Sequence, residues 1–187
     1  MKEKIIQQSI QLFGEKGFKE TSIQDIVDSL SVTKGTFYYY YKSKTELLMA
    51  IHLKYIDDLL RKQEEIIQDD EKMYKDKLHE IVYMLIHDIE KEGLSAKVFF
   101  REMRNLSEED MEEVVAKRDL FRVKIQQVIE AGIAAGEFRS DLQTDIVTFG
   151  ILGMTNWSYF WFDPNGRVSD HEVSEIFLKM VLEGLNI

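Results

Sequence analysis

Residues 31–44 read SVTKGTFYYYYKSK, a stretch with three lysines, four consecutive tyrosines and no acid. Thr36 carries a hydroxyl that can bond a base edge or a methyl that can touch thymine, and Lys34 can reach guanine or phosphate. Thr33 and Gly35 are small enough to let a helix start come close to a duplex, and free N–H groups there favour phosphate. Tyr38 and Tyr39 can place hydroxyls on phosphate while their rings lie against sugar. Lys44, at the start of the next helix, stands near the positive end of that helix dipole and is expected to take another phosphate. The chemistry is that of double-stranded DNA recognition.

Such residues need a scaffold. Ile23, Ile26, Val27 and Leu30 form the apolar stripe of one short helix, with Thr21 or Ser22 as its cap and Gln24 or Asp25 closing a capping box. Ser31 and Val32 make a turn, and Thr33 caps a second helix through about Tyr40. Helix, short turn and second helix within some twenty residues is the helix-turn-helix pattern, whose second helix enters the major groove by its N-terminal end. Phe37 and Tyr41, four apart, share the inward face; residues 38–40 fan around the next turn, so some of their hydroxyls must face outward.

The remaining chain also reads as helix. The single proline is Pro164, and no Val/Ile/Thr-rich alternating run is present. A helix before the motif uses Ile5, Ile6, Ile10, Leu12 and Phe13. Ser43 and Glu46 form a capping box for a long helix to about Gln68. Further helices are expected near 73–91, 95–105, 107–136, 142–162 and 170–185. The fold expectation is all-α, with about nine helices: a three-helix unit over residues 1–45, then a helical domain over 46–187.

Composition narrows the function. With no cysteine, disulfides, thiolate catalysis and cysteine-bound zinc are out. The net charge of −10 argues against nucleic acid, but it is unevenly placed: residues 1–50 hold seven lysines and six acids, a net of +1, leaving −11 for the rest. Charges interrupt the first twenty residues, and the least charged stretch, 146–162, is short for a membrane span. A cytoplasmic protein without membrane contact is the expectation. Nothing resembles a nucleophile with its base, a glycine-rich phosphate loop or a cofactor motif, so no catalytic residues, no enzyme activity and no cofactor are expected. His79 and His87 lie about 80° apart around a helix with no carboxylate at ligand spacing, so no metal site is expected.

Residues 5–48, IIQQSIQLFGEKGFKETSIQDIVDSLSVTKGTFYYYYKSKTELL, resemble the DNA-binding domain of the tetracycline-repressor (TetR) family of bacterial regulators. The resemblance rests on Leu12-Phe13, Gly17-Phe18, Thr21, Ile23, Ile26, Val32 to Tyr40 and Lys44 taken jointly. Ser9 and Ser31 stand where the family often has alanine and glycine. The resemblance implies DNA contacts from Thr33, Lys34, Gly35, Thr36, Tyr38, Tyr39 and Lys44. It also implies a C-terminal domain that dimerises and holds an inducer. The later stretches REMRNLSEED and GMTNWSYFWFDPNG are similar to members that regulate fatty-acid or sterol breakdown and sense acyl-CoA thioesters.

The residues carry part of this independently. In the last helix Val173, Ile176, Phe177, Met180 and Val181 form one apolar stripe, and Leu178, Leu182 and Leu185 a second. The helix before it is apolar nearly all round, with Gly150 and Gly153 permitting close approach. Two such helices per subunit suit a symmetric four-helix homodimer interface. Met84, Phe99, Met103, Phe121 and Ile125 could line an acyl-chain cavity, with Arg118 fixing an anionic head group. Arg118 could equally pair with Glu102, and Trp157 could line the cavity or fill the dimer interface. The expectation is a ligand-responsive regulator, a repressor in the first instance, released from a palindromic operator by a small hydrophobic or acyl-CoA-like inducer. The alternatives are a multidrug-type regulator of aromatic or cationic compounds, a constitutive DNA-binding dimer, or a small all-helical enzyme or lipid carrier.

Overall fold

The computed structural model describes residues 1–183 of the chain. Among them lie nine α-helices and one 3-10 turn, and no strand. The helices are α1 (Lys2–Lys16), α2 (Ile23–Ser29), α3 (Lys34–Tyr40), α4 (Lys44–Ile67), α5 (Tyr74–His87), α6 (Ile89–Glu102), α7 (Glu108–Ala134), α8 (Thr144–Ser158) and α9 (Asp170–Leu182). The all-α expectation holds.

Boundaries differ in two places. The helix expected over 73–91 stops at His87, and α6 begins at Ile89 rather than near 95. Asp88 keeps helical dihedrals, φ −63° and ψ −16°, and its N–H still reaches Met84 O. The chain therefore turns without glycine or proline, and apolar periodicity carries no mark of it. α8 ends at Ser158, four residues early. Phe162 N–H then bonds Ser158 O, and the Phe162 ring folds back into a core with Ile86 and Val173.

The chain forms two compact units. The first is Met1–Asp58 with Glu92–Lys117; the second is Leu59–Lys91 with the residues from Arg118 onward. This division does not follow a single cut near residue 45, because α6 contributes to the core of the first unit. Ile5, Phe13, Ile26, Phe37, Leu47 and Val98 belong to one buried cluster there. A Cβ on Gly14 of α1 would stand 2.8 Å from Leu94 Cδ2 of α6, so a larger residue there would make the end of the Leu94 side chain shift. Sequence-local signals mark caps and stripes, whereas unit boundaries follow from contacts made across tens of residues. In the second unit α5 packs along α9 and α8.

Candidate nucleic-acid interface and regulatory unit

Local chemistry builds the helix-turn-helix. Ser22 Oγ accepts from the Asp25 N–H at 3.1 Å and Asp25 Oδ2 accepts from the Ser22 N–H at 2.7 Å, which fixes the start of α2. Hydrogen bonds from the Ser22 side chain and backbone hold the Asp25 carboxyl below its ordinary pKa. Thr21 is not the cap; its buried hydroxyl donates to Gly17 O at 2.9 Å and tethers the preceding loop. Between α2 and α3 the chain turns through Ser31 at φ 54°, the left-handed region that favours glycine. Thr33 Oγ1 then accepts from the Thr36 N–H at 3.4 Å and lies 3.4 Å from Thr36 Oγ1.

The α3 side chains sort as their spacing requires. Phe37 is fully buried and Tyr41 nearly so, while Tyr38 is 53 % and Tyr39 81 % exposed. Tyr40 is half-buried, its ring edge-on to Tyr39 at 4.8 Å. Burial pushes the Tyr41 hydroxyl up to about 12, with Glu3 and Glu46 adding to it, so that ring is structural. Thr33, Lys34 and Gly35 are exposed and Thr36 is half-exposed. One outward surface thus holds the Thr33–Thr36 start of α3 with the two tyrosine hydroxyls.

Lys44 departs from the expectation. Its ammonium donates to Phe18 O and to Thr21 O, both at 2.6 Å, and lies 4.2 Å from the centre of the Phe18 ring. Burial holds its pKa below the ordinary lysine value. In the free chain it acts as a clamp that ties the loop before α2 to the start of α4. The partners are 26 and 23 residues away, which no local pattern announces. The Ser43–Glu46 cap does form: Ser43 Oγ accepts from the Glu46 N–H at 3.0 Å, and the Glu46 carboxylate takes the Lys42 N–H.

The residues expected to hold an inducer divide between the units. Phe99 and Met103 belong to the first, where Phe99 is fully buried against the rings of His52 and Tyr55. Met84, Arg118, Phe121, Ile125 and Trp157 belong to the second. Met84, Phe121 and Ile125 are buried. Arg118 keeps exposed surface although its neighbourhood desolvates the guanidinium and lowers its pKa, and Val115 is 46 % exposed. The inward face of α7 carries Val114, Phe121, Ile125, Val128 and Ile129. Trp157, at 61 % exposure, lies at the surface with its ring tilted 40° against Phe160, centres 4.4 Å apart. Open space in this unit includes a cavity of about 170 Å³ bordered by Leu78, Ile129, Phe138 and Val147, with Lys75 and Arg139 at it. Sequence reasoning passes over Gln63, which is fully buried in α4: its Nε2 donates to Phe121 O at 2.9 Å while Oε1 has no partner among the described residues. Its place in a polar run, KQEE, hides it.

Residues 5–51 match the family described as bacterial regulatory proteins, tetR family, and residues 71–185 match the tetracyclin repressor-like C-terminal domain. The chain belongs to the TetR family. It is a DNA-binding transcriptional regulator. The chain is similar to the HTH-type transcriptional repressor KstR2 of Mycolicibacterium smegmatis, with 26 % identity over 186 residues, 98 % of this chain and 90 % of that one. The TetR-family regulator PfmR of Thermus thermophilus superposes with a TM-score of 0.90 at 26 % identity, covering 98 % of this chain and 99 % of that one. AibR in complex with isovaleryl coenzyme A and operator DNA superposes at 0.86, over 97 % of each chain, and its 21 % identity shows a shared fold alone. Among the described residues no helix is long and apolar enough to cross a membrane.

In this TetR-family chain α8 has its faces reversed. The residues it buries are Thr148, Ile151, Thr155 and Ser158, and the three hydroxyls bond carbonyls one turn back. The residues it exposes are Ile146, Phe149 and Trp157, and a Cβ on Gly150 or Gly153 would meet nothing within 4 Å. α9 buries Val173 and Leu178 and exposes Ile176 and Met180, both about half accessible. The two expected stripes are thus sorted differently, with Val173 inward and Ile176 outward; Leu185 lies outside the described residues.

Proposed function

We propose that the chain is a homodimeric repressor that grips a palindromic operator and releases it when an anionic, largely apolar ligand of the acyl-CoA type enters the second unit. The observation that carries the DNA half is the surface of α3, with Tyr38 and Tyr39 outward beside Thr33, Lys34, Gly35 and Thr36. Thr36 reads a base; Lys34 and the tyrosine hydroxyls take phosphates. The exposed apolar faces of α8 and α9 support the dimer, since patches of this kind mark protein contacts. A two-fold axis then sets the α3 helices about 34–36 Å apart, one turn of DNA. Similarity to a KstR2 repressor supports repression, and the AibR complex supports a coenzyme A thioester as ligand class. Met84, Phe121 and Ile125 offer the acyl chain an adaptable apolar wall, and Arg118 the head group a planar cation. A coupling of about 1–3 kcal/mol between ligand and DNA would change operator affinity some 5- to 150-fold.

The test begins with an operator selected from a random duplex library. Tyr39→Phe should weaken binding to every duplex about equally, and Lys34→Ala should also lower the salt slope by about one unit. Replacing Thr36 should relax preference at one or two base pairs. Release is then titrated with long-chain acyl-CoA, free fatty acid and a cationic aromatic dye. Acyl-CoA should act at the lowest concentration, and Arg118→Met should bind operator normally but resist release. Release by the dye alone, or normal release of the Arg118→Met protein, would overturn the ligand assignment.

A further inference from the structure

The second unit brings together histidines that lie far apart in the chain. α5 presents His79, Tyr83 and His87 at steps of four, one stripe, and the first turns of α9 present Asp170, His171 and Glu175 to it. One end of this cluster is closed. His87 Nδ1 lies 2.5 Å from Asp170 Oδ2 and 3.3 Å from the Tyr83 hydroxyl, a satisfied pair.

The other end is open. Glu175 Oε1 stands 3.0 Å from His79 Nε2 and 4.0 Å from His171 Nε2. One donor atom from each of the three residues lies within 4.8 Å of the other two. His79 Nε2 is buried and makes no hydrogen bond, so its 3.0 Å approach to the carboxylate lacks the direction a bond requires. The two imidazoles do not stack; their planes stand at 80° with centres 5.9 Å apart. A buried nitrogen facing a carboxylate and a second imidazole, without a hydrogen bond to either, is an arrangement that a bound cation would organise.

We propose that His79, His171 and Glu175 form a binding site for a divalent ion of the zinc class. Two imidazoles, one carboxylate and a solvent position are a donor set that such an ion takes, with bonds of about 2.0–2.2 Å. Tetrahedral neighbours at that radius are about 3.3 Å apart, and the observed 3.0 and 4.0 Å bracket this value. The third pair, His79 with His171, lies within 4.8 Å, and the His171 side chain is 65 % exposed and so has room to adjust. Magnesium and calcium want oxygen cages that two imidazoles do not offer, and cuprous ion wants sulfur. The closed pair supports the open one, because Asp170 Oδ1 accepts the backbone N–H of His171 at 2.7 Å and anchors that ligand's main chain. The site depends on neither DNA nor inducer. The bound ion would pin the first turns of α9 to α5.

Cobalt(II) is the probe, because its visible bands report tetrahedral nitrogen and oxygen donors, and zinc should displace it. Full-length protein without an affinity tag is stripped with chelator, dialysed and titrated. One cobalt per chain should bind with the tetrahedral spectrum. His171→Ala and Glu175→Gln replace exposed side chains, so both should keep the far-UV spectrum and melting transition while binding at least about 100-fold more weakly, beyond what loss of an outer partner costs. His87→Asn should retain the cobalt spectrum. Unsaturable binding shared by all variants would mean an adventitious ion only, and binding unchanged in both ligand variants would place the metal elsewhere; either result overturns the site.

Discussion

Replacing Lys44 with methionine separates a clamp from a phosphate anchor. The substitution keeps the apolar stem of the side chain and deletes the ammonium that bridges Phe18 O and Thr21 O at 2.6 Å. Hydrogen bonds from a charged donor contribute about 1.5–3 kcal/mol each, so two would set a ceiling of about 6 kcal/mol. Lys44 is only half-buried, and water can reach the freed carbonyls, so a loss of about 2–3 kcal/mol is expected. For a chain of this length that lowers Tm by about 4–12 °C. Circular dichroism melts of the full chain measure it. DNA binding supplies the second readout: a lysine that neutralises a phosphate lowers the salt slope by about 0.9 when removed, whereas loss of the clamp weakens binding at every salt concentration with the slope intact. A Lys44→Met protein that melts like its parent and shows the lower slope would refute the clamp and restore the phosphate contact.

Gly153→Leu adds a side chain where the protomer has open space, and leucine favours helix over glycine, so the protomer should fold normally. Overpacking at the proposed interface should cost about 1–3 kcal/mol, so sedimentation should show monomer where the parent is dimeric, with operator binding lost in parallel; an unchanged dimer moves the interface off α8. Ser31→Gly should raise stability by about 0.5–1 kcal/mol, the relief of φ 54° less the greater entropy of unfolded glycine, and a lowered Tm would show that the turn is unstrained. His52 is buried with Nδ1 2.9 Å from Leu48 O and Nε2 3.2 Å from Phe99 O, and burial lowers its pKa from the ordinary 6.5. The unfolded chain therefore takes up a proton first: this contribution is complete above about pH 6.5 and is lost as pH falls toward the lower folded value. Urea titrations should show less acid destabilisation in His52→Gln, and equal pH slopes in the two proteins would exclude the histidine.

What can be read from the sequence is what local chemistry decides. Thr21 or Ser22 with Gln24 or Asp25, then Thr33, then Ser43 with Glu46 announce helix starts by residue type and spacing, and the structure uses Ser22 with Asp25, Thr33 and Ser43. The division of Phe37 and Tyr41 from Tyr38 and Tyr39 follows from 100° per residue, and the burial agrees. Three things escape because they depend on which elements meet. Lys44 reads as a free cation until the fold brings two carbonyls to it. Along the sequence His79 is compared with His87 on its own helix, whereas its neighbours come from α9, far along the chain. The stripes of α9 are legible, but Val173 and Ile176 go to opposite sides, since periodicity gives the faces of a helix and not what covers each one.

The reversed α8 face also gives the molecule an internal reporter. The chain has two tryptophans, Trp157 and Trp161, and both lie in the second unit at the apolar surface, 61 % and 50 % exposed. The first unit has none, and its α3 carries tyrosines instead. Selective excitation of indole therefore sees the proposed subunit contact and is blind to the DNA-binding helices. Emission should shift to the blue when protomers join and return to the red when they part. Tyrosine emission, quenched or shielded by a duplex at α3, supplies an independent channel. Assembly and operator capture can thus be timed separately in one unlabelled solution, and their order observed rather than assumed.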